Sequence, residues 1–169
     1  MAARRHWRIS VVFLSFLAAG LAPQCAGAPV NKSELCAGCH SGKWESYRRT
    51  GMGRSFYRPT PENMVGDFTT GFTYFHAASE SYFTMLRRDG QYFQRRHQVD
   101  AAGKPVNVVE KRIDYVMGSG NHARTYLHRT PAGTLLELPL GWYAEKGDYF
   151  AMNPGYDRAD HEGFRRAIS

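Results

Sequence analysis

Two cysteines and a histidine stand together in Cys36-Ala37-Gly38-Cys39-His40. Thiols separated by two residues, with an imidazole directly after the second, form the C-x-x-C-H signature of c-type haem attachment. The spacing has a chemical reason. Each thiol adds to one of two vinyl groups on neighbouring pyrroles, and two cysteines on a tight turn span that gap. The next side chain then presents a ring nitrogen to the iron. Cys36 and Cys39 are the expected thioether residues and His40 the expected proximal iron ligand, its other nitrogen left for a hydrogen bond that fixes the ring. Three other readings of the pair stay open. A redox dithiol needs a strand before it and a helix after it, and APVNKSEL does not read as a strand. Half of a zinc site lacks a second C-x-x-C or a spaced histidine pair. A Cys36–Cys39 disulfide closes too short a loop to constrain much chain.

The sixth iron position decides what such a haem does. A second histidine lowers the potential, a methionine raises it, and an open position admits small molecules. Met52 follows His40 by twelve residues in RRTGMGRSF, between Gly51 and Gly53. Two glycines there let backbone approach a flat ligand; the alternative is a loop methionine filling a gap near Trp44. His122 and His128 lie in GSGNHARTYLHR and would share a strand face with Tyr126. Either is also a candidate for a hydrogen-bonded structural role. Met52, His122 and His128 are the distal candidates. His76, His97 and His161 read as ambiguous, strand-edge or loop residues.

Elements must hold these groups in place. Gly42 to Arg49 reads as a short helix, with Trp44 and Tyr47 on one face and Thr50-Gly51 ending it. From about Phe68 to Met152 the pattern is that of antiparallel hairpins. Asp89-Gly90 centres YFTMLRRDGQYFQRRHQV, a two-residue turn that sets Leu86 opposite Phe93, Met85 opposite Gln94, Thr84 opposite Arg95, Phe83 opposite Arg96 and Tyr82 opposite His97. Thr130-Pro131-Ala132-Gly133 predicts a type I turn between ARTYLHR and TLLELPL. Asp100 to Gly103 predicts a looser turn, and Glu145 to Asp148 another. In VVEKRIDYVMGSGNH, Val109, Ile113 and Val116 fit helical spacing with Gly118 as a cap, although Ile113, Tyr115 and Met117 also alternate as in a strand. The predicted fold is α+β: a short helical or looped haem-binding segment, residues 29–61, packed on a β-rich body of antiparallel hairpins, residues 62–169.

Composition narrows the class. Arg4, Arg5 and Arg8, then an apolar run from Ile9 to Ala22 and the small residues Ala26-Gly27-Ala28, have the pattern of a secretory signal peptide over residues 1–28. The apolar run is too short for a spanning helix, which needs about 20 residues, so no stable transmembrane span is expected after cleavage and the protein is expected in the periplasm or secreted. The chain has 22 basic and 15 acidic residues. The leader holds three of the basic ones, which leaves 19 − 15 = +4 and no block of like charge for binding nucleic acid. Beyond residue 28 there are 20 aromatic residues against 16 Val, Ile and Leu, so rings must supply much of the core or cover a flat ligand.

CAGCH followed by KWESYRRTGMGRSF resembles exported multihaem c-type cytochromes, a group often carrying tetratricopeptide repeats. RRDGQYFQRRHQV, DYVMGSGNHARTYLHRTPAG, WYAEKGDYFAMNPGYD and HEGFRRAIS look like the same group, so the resemblance spans about Leu35 to Ser169. It implies haem c held by Cys36, Cys39 and His40, electron transfer with redox partner proteins outside the cytoplasm, and further haem domains beyond this chain. In that group a histidine commonly stands near the place of Met52, serving as a distal ligand, often to a neighbouring haem; this chain departs there. It also carries one C-x-x-C-H where the group has several, as a short member or the N-terminal part of a longer protein would. The expected function is therefore an extracytoplasmic, single-haem c-type cytochrome domain for one-electron transfer, with rings such as Trp44, Tyr47 and Phe56 excluding water. The alternatives are a haem enzyme with an open sixth position, His122 or Arg124 supplying a proton or charge, and a non-haem β-rich interaction module with a Cys36–Cys39 disulfide.

Overall fold

The computed structural model describes residues 35–145 and 149–157 with their side chains, and the backbone of 167–168. The signal-peptide reading of residues 1–28, Cys25, His161 and the turn through 146–148 lie outside these residues.

The chain forms one helix, α1 (Ala37–Tyr47), and eleven strands among the described residues. They are β1 (Phe56–Tyr57), β2 (Thr73–His76), β3 (Ser81–Arg88), β4 (Gln91–Val99), β5 (Pro105–Arg112), β6 (Tyr115–Met117), β7 (Ala123–Arg129), β8 (Leu135–Glu137), β9 (Leu140–Tyr143), β10 (Tyr149–Met152) and β11 (Ala167–Ile168). All pairings are antiparallel. One sheet runs β2-β3-β4-β5. The other runs β1-β6-β7-β8-β11, with β9 paired to β7 and β10 to β9.

The β3–β4 hairpin has the register that its turn predicts: Leu86 faces Phe93, Met85 faces Gln94, Thr84 faces Arg95, Phe83 faces Arg96 and Tyr82 faces His97. Asp89 and Gly90 both have positive φ, 52° and 72°, the pair of left-handed residues a twisted two-residue turn requires. The turn at Thr130 closes with Gly133 N donating to Thr130 O at 2.9 Å, and that at Asp100 with Gly103 N donating to Asp100 O at 2.9 Å.

The helical spacing of Val109, Ile113 and Val116 does not give a helix. The segment forms β5 and β6, and the chain passes from one sheet to the other at Ile113-Asp114. Ile113 plugs the core at that corner and Val116 faces it from β6. Two buried residues three apart on either side of a sheet change imitate a helical period. Gly118 caps no helix; its N–H donates to Ser55 O at 2.7 Å.

The core lies between the two sheets. Phe83 and Met85 of β3 and Tyr92 of β4 meet Val116, Tyr126, Leu140, Trp142 and Phe150 from the other sheet. Phe68, between them, makes edge contacts with Tyr92, Tyr126 and Phe150 at centroid distances of 5.1, 6.0 and 5.5 Å. Rings thus fill the position that Val, Ile and Leu are too few to occupy. A buried amide joins the sheets: Gln94 Nε2 donates to Leu140 O at 3.1 Å, and Leu140 N donates to Gln94 Oε1 at 2.9 Å. No helix among the described residues is long and apolar enough to cross a membrane.

Candidate functional site: the Cys36–Tyr47 helix face

Cys36, Cys39 and His40 sit at the start of α1. His40 N donates to Cys36 O at 2.8 Å, yet His40 itself leaves helical geometry, with φ −131° and ψ 50°. The chain therefore breaks at the residue following the second cysteine and resumes as helix beyond it. Both thiols are exposed and unpaired. Among the described residues, none donates to or accepts from the His40 ring. Cys36, His40, Lys43, Trp44 and Tyr47 line an open cleft of about 340 Å³. Spacings of four, three, one and three put these side chains on one face of the helix.

Among the described residues, that face lines an open cleft. No residue of α1 is buried, and Tyr47 is 46% exposed. Eleven residues are below the roughly 12–15 at which an isolated helix becomes even marginal in water, and Gly38 and Gly42 weaken it further, about 1 kcal/mol each relative to Ala. The charged face offers modest help. Arg48 donates to Glu45 Oε2 at 2.9 Å and lies 4.8 Å from the Trp44 ring. The far end is better anchored. Thr50 Oγ1 donates to Tyr47 O at 2.7 Å and accepts from Gly53 N at 3.0 Å.

The residues present fit a covalently held haem. Two free thiols and an unengaged imidazole are the donor set that C-x-x-C-H attachment uses. A cleft lined by two rings and open among the described residues suits a flat ligand. No cluster of three or more His, Cys, Asp and Glu that could hold a metal ion forms among the described residues.

The distal candidates do not line this cleft. Met52 starts a 3₁₀ turn, Met52–Arg54, and is 75% exposed. The glycines beside it serve protein packing. A Cβ at Gly53 would sit 2.2 Å from Tyr47 O, and one at Gly51 would meet Ser119 at 3.4 Å. His122 is exposed, before β7 begins, with its carbonyl accepting from Ala144 N at 2.8 Å. His128 is engaged: its Nδ1 lies 3.0 Å from Asp114 Oδ2 and 3.0 Å from Arg112 O. It does share the β7 face of Tyr126, but as part of a buried-carboxylate cluster, since Asp114 Oδ2 also accepts from Arg129 N at 2.8 Å. Phe56 stands away from the cleft, stacked on Tyr115 at 5.1 Å.

Two further described histidines, His76 and His97, lie within the β body. His76 Nδ1 is 2.8 Å from Ser79 Oγ, and His97 stacks on Tyr82 at 5.3 Å. The distinctive NPGY run holds the chain corner at Leu138-Pro139. Asn153 Nδ2 donates to Leu138 O at 2.8 Å, Asn153 N to Pro139 O at 2.7 Å, and Tyr156 hydroxyl to Glu137 O at 2.7 Å. Sequence reasoning passed over this role because its partners are backbone carbonyls, which leave no mark in side-chain spacing. Compared with known proteins, the chain matches no family model, no curated sequence and no solved structure.

Proposed function

We propose that this protein is an extracytoplasmic c-type cytochrome domain that carries one haem on α1 and transfers single electrons between redox partner proteins. The observation that carries the reading is the α1 face: the exposed Cys36 thiol and a free imidazole line one cleft with Trp44 and Tyr47, with the second exposed thiol, Cys39, directly before His40, on a helix with no fully buried residue. Haem c, when bound, supplies reversible one-electron chemistry at its iron. The chain's own residues have separable tasks. Cys36 and Cys39 fix the macrocycle in position through thioethers. His40, turned out of helical geometry, offers one ring nitrogen to the iron. Trp44 and Tyr47 cover one side of the ring and keep water from it. The leader pattern at residues 1–28 and the resemblance to exported multihaem cytochromes point the same way.

For the distal side we propose Met52. It is the candidate tied most directly to α1, through the Thr50 and Gly53 contacts with Tyr47, whereas His128 is held by Asp114. In protein produced with the haem-attachment machinery, Met52→Ala is expected to convert the low-spin spectrum to high-spin, and His128→Ala to leave it unchanged. A second reading, an open sixth position acting on a small molecule, is favoured by one observation: no distal candidate lines the cleft. Carbon monoxide separates the two. Rapid binding by the ferrous wild type, with a spectrum insensitive to Met52→Ala, overturns the Met52 assignment and supports the open site.

A further inference from the structure

A second polar site lies on the β body, apart from the Cys36–His40 face. A cleft of about 540 Å³ is lined by residues that include Arg54, Tyr57, Asn63, Ser119, Asn121 and Arg124. Arg124 is its centre. The guanidinium is half-buried, lies 5.8 Å from the Tyr57 ring and 5.4 Å from the Trp142 ring, and donates from Nη1 to Asn63 O at 2.6 Å. No carboxylate pairs with it among the described residues. Glu62 lies on the cleft but its carboxylate is engaged by the Thr60 side chain.

The strand register explains how the neighbours gather. Tyr57, Val116 and Tyr126 are side by side across β1, β6 and β7. Arg124 is two residues from Tyr126 on the same face and pairs with Trp142 of β9. Four buried atoms of this group have no hydrogen-bond partner: Tyr57 hydroxyl, Tyr126 hydroxyl, Arg124 Nε and Trp142 Nε1. The indole and guanidinium nitrogens can only donate. Burial pushes both tyrosines' ionisation up, against a smaller opposing pull from Arg124, so both hydroxyls keep their protons. A set of unmet donors around a half-buried cation calls for an acceptor. The GSGN loop closes over this group. Gly120 has φ +84°, and a Cβ there would lie 2.4 Å from Arg124 Nη2 and 2.5 Å from Nε, so only glycine lets the loop come so near.

We propose that Arg124, with Tyr57, binds a small anion, an inorganic oxyanion or a short carboxylate. Guanidinium matches the planar, two-oxygen edge of such ligands. The site also touches the haem-bearing segment, because Gly53 and Arg54 line the same cleft.

The test is a calorimetric titration of the full chain, as purified, with sodium sulfate, sodium nitrite and sodium acetate at constant ionic strength. One saturable site is expected for at least one probe; sulfate or nitrite binding identifies an oxyanion site, and acetate binding a carboxylate site. Affinity should fall at least about tenfold in Arg124→Gln, the loss expected for a charge-assisted contact. Tyr57→Phe, which keeps the ring and removes only the hydroxyl, should weaken binding several-fold and so decides the matter if Arg124→Gln fails to fold. No saturable binding of any probe, or equal binding in wild type and a folded Tyr57→Phe and Arg124→Gln, overturns the proposal. The same titration on Cys36→Ala/Cys39→Ala reads the site without haem, so failure of the haem assignment and failure of this one are distinct.

Discussion

At the scale of single residues, Gly53 shows how a glycine near the C-x-x-C-H motif serves the packing of the chain itself. Its missing side chain lets the turn after α1 close on Tyr47, where a Cβ would stand 2.2 Å from the carbonyl oxygen and 2.9 Å from Arg48 Cα. Both neighbours are backbone, so no rotamer change relieves the clash. Gly53→Ala is therefore expected to destabilise the chain by about 1–3 kcal/mol, the usual range for overpacking, read as a fall in the urea midpoint. A neighbouring Gly42→Ala, facing open space, should leave the midpoint the same or raise it, since alanine favours helix. The sequence identified the glycine pair around Met52 but not its purpose, because what a glycine approaches is a tertiary fact. Cys36, Cys39 and His40 stand out in the sequence for the opposite reason: the chemistry proposed for them needs fixed spacing, and spacing is what a sequence records.

At the scale of elements, the turns were the most readable features. Asp89-Gly90 sets the β3–β4 register residue by residue, since a two-residue turn leaves no slack. The stretch from Val109 to Gly118 was misread because the chain changes sheets at Ile113-Asp114, and alternation does not survive a corner. The turn before β2 carries a pH response. Asp67 Oδ1 accepts from Thr69 N at 2.8 Å and Thr70 N at 3.0 Å, and its other oxygen accepts from the Thr70 hydroxyl. These bonds, the Thr70 hydroxyl first, hold its carboxyl well below the usual carboxylate range. A lowered folded-state pKa means the unfolded chain takes up the proton first. The contribution is full above the ordinary carboxylate pKa of about 4 and declines as pH falls below it. Asp67→Asn should flatten the stability profile between pH 7 and pH 3 relative to wild type, measured by thermal unfolding at each pH; an unchanged acid limb would remove Asp67 from the explanation.

At the scale of the molecule, two sheets are held by a ring-rich core and by one amide that behaves as a piece of backbone. Gln94 both donates to and accepts from Leu140, across the sheets. Gln94→Leu keeps similar volume but orphans the Leu140 N–H and C=O, each worth about 1–3 kcal/mol when buried unpaired. A clear loss of stability by denaturant unfolding is expected, far larger than for a surface Gln91→Leu. Against this body, α1 is the one described α-helix and has no fully buried residue. Beside this body, Trp44 and Tyr47 line an open cleft with Cys36 and His40, the face on which the proposed haem would lie. Much of the aromatic surplus in the sequence goes into the core, and composition could not say which rings would be buried there. The most direct measurement is the intact mass and pyridine haemochrome spectrum of the full chain made in cells with haem-attachment machinery. One haem bound through two thioethers is predicted, falling to a single-thioether spectrum in Cys36→Ala and to none in Cys36→Ala/Cys39→Ala. A colourless product with both thiols free to alkylate would contradict the account.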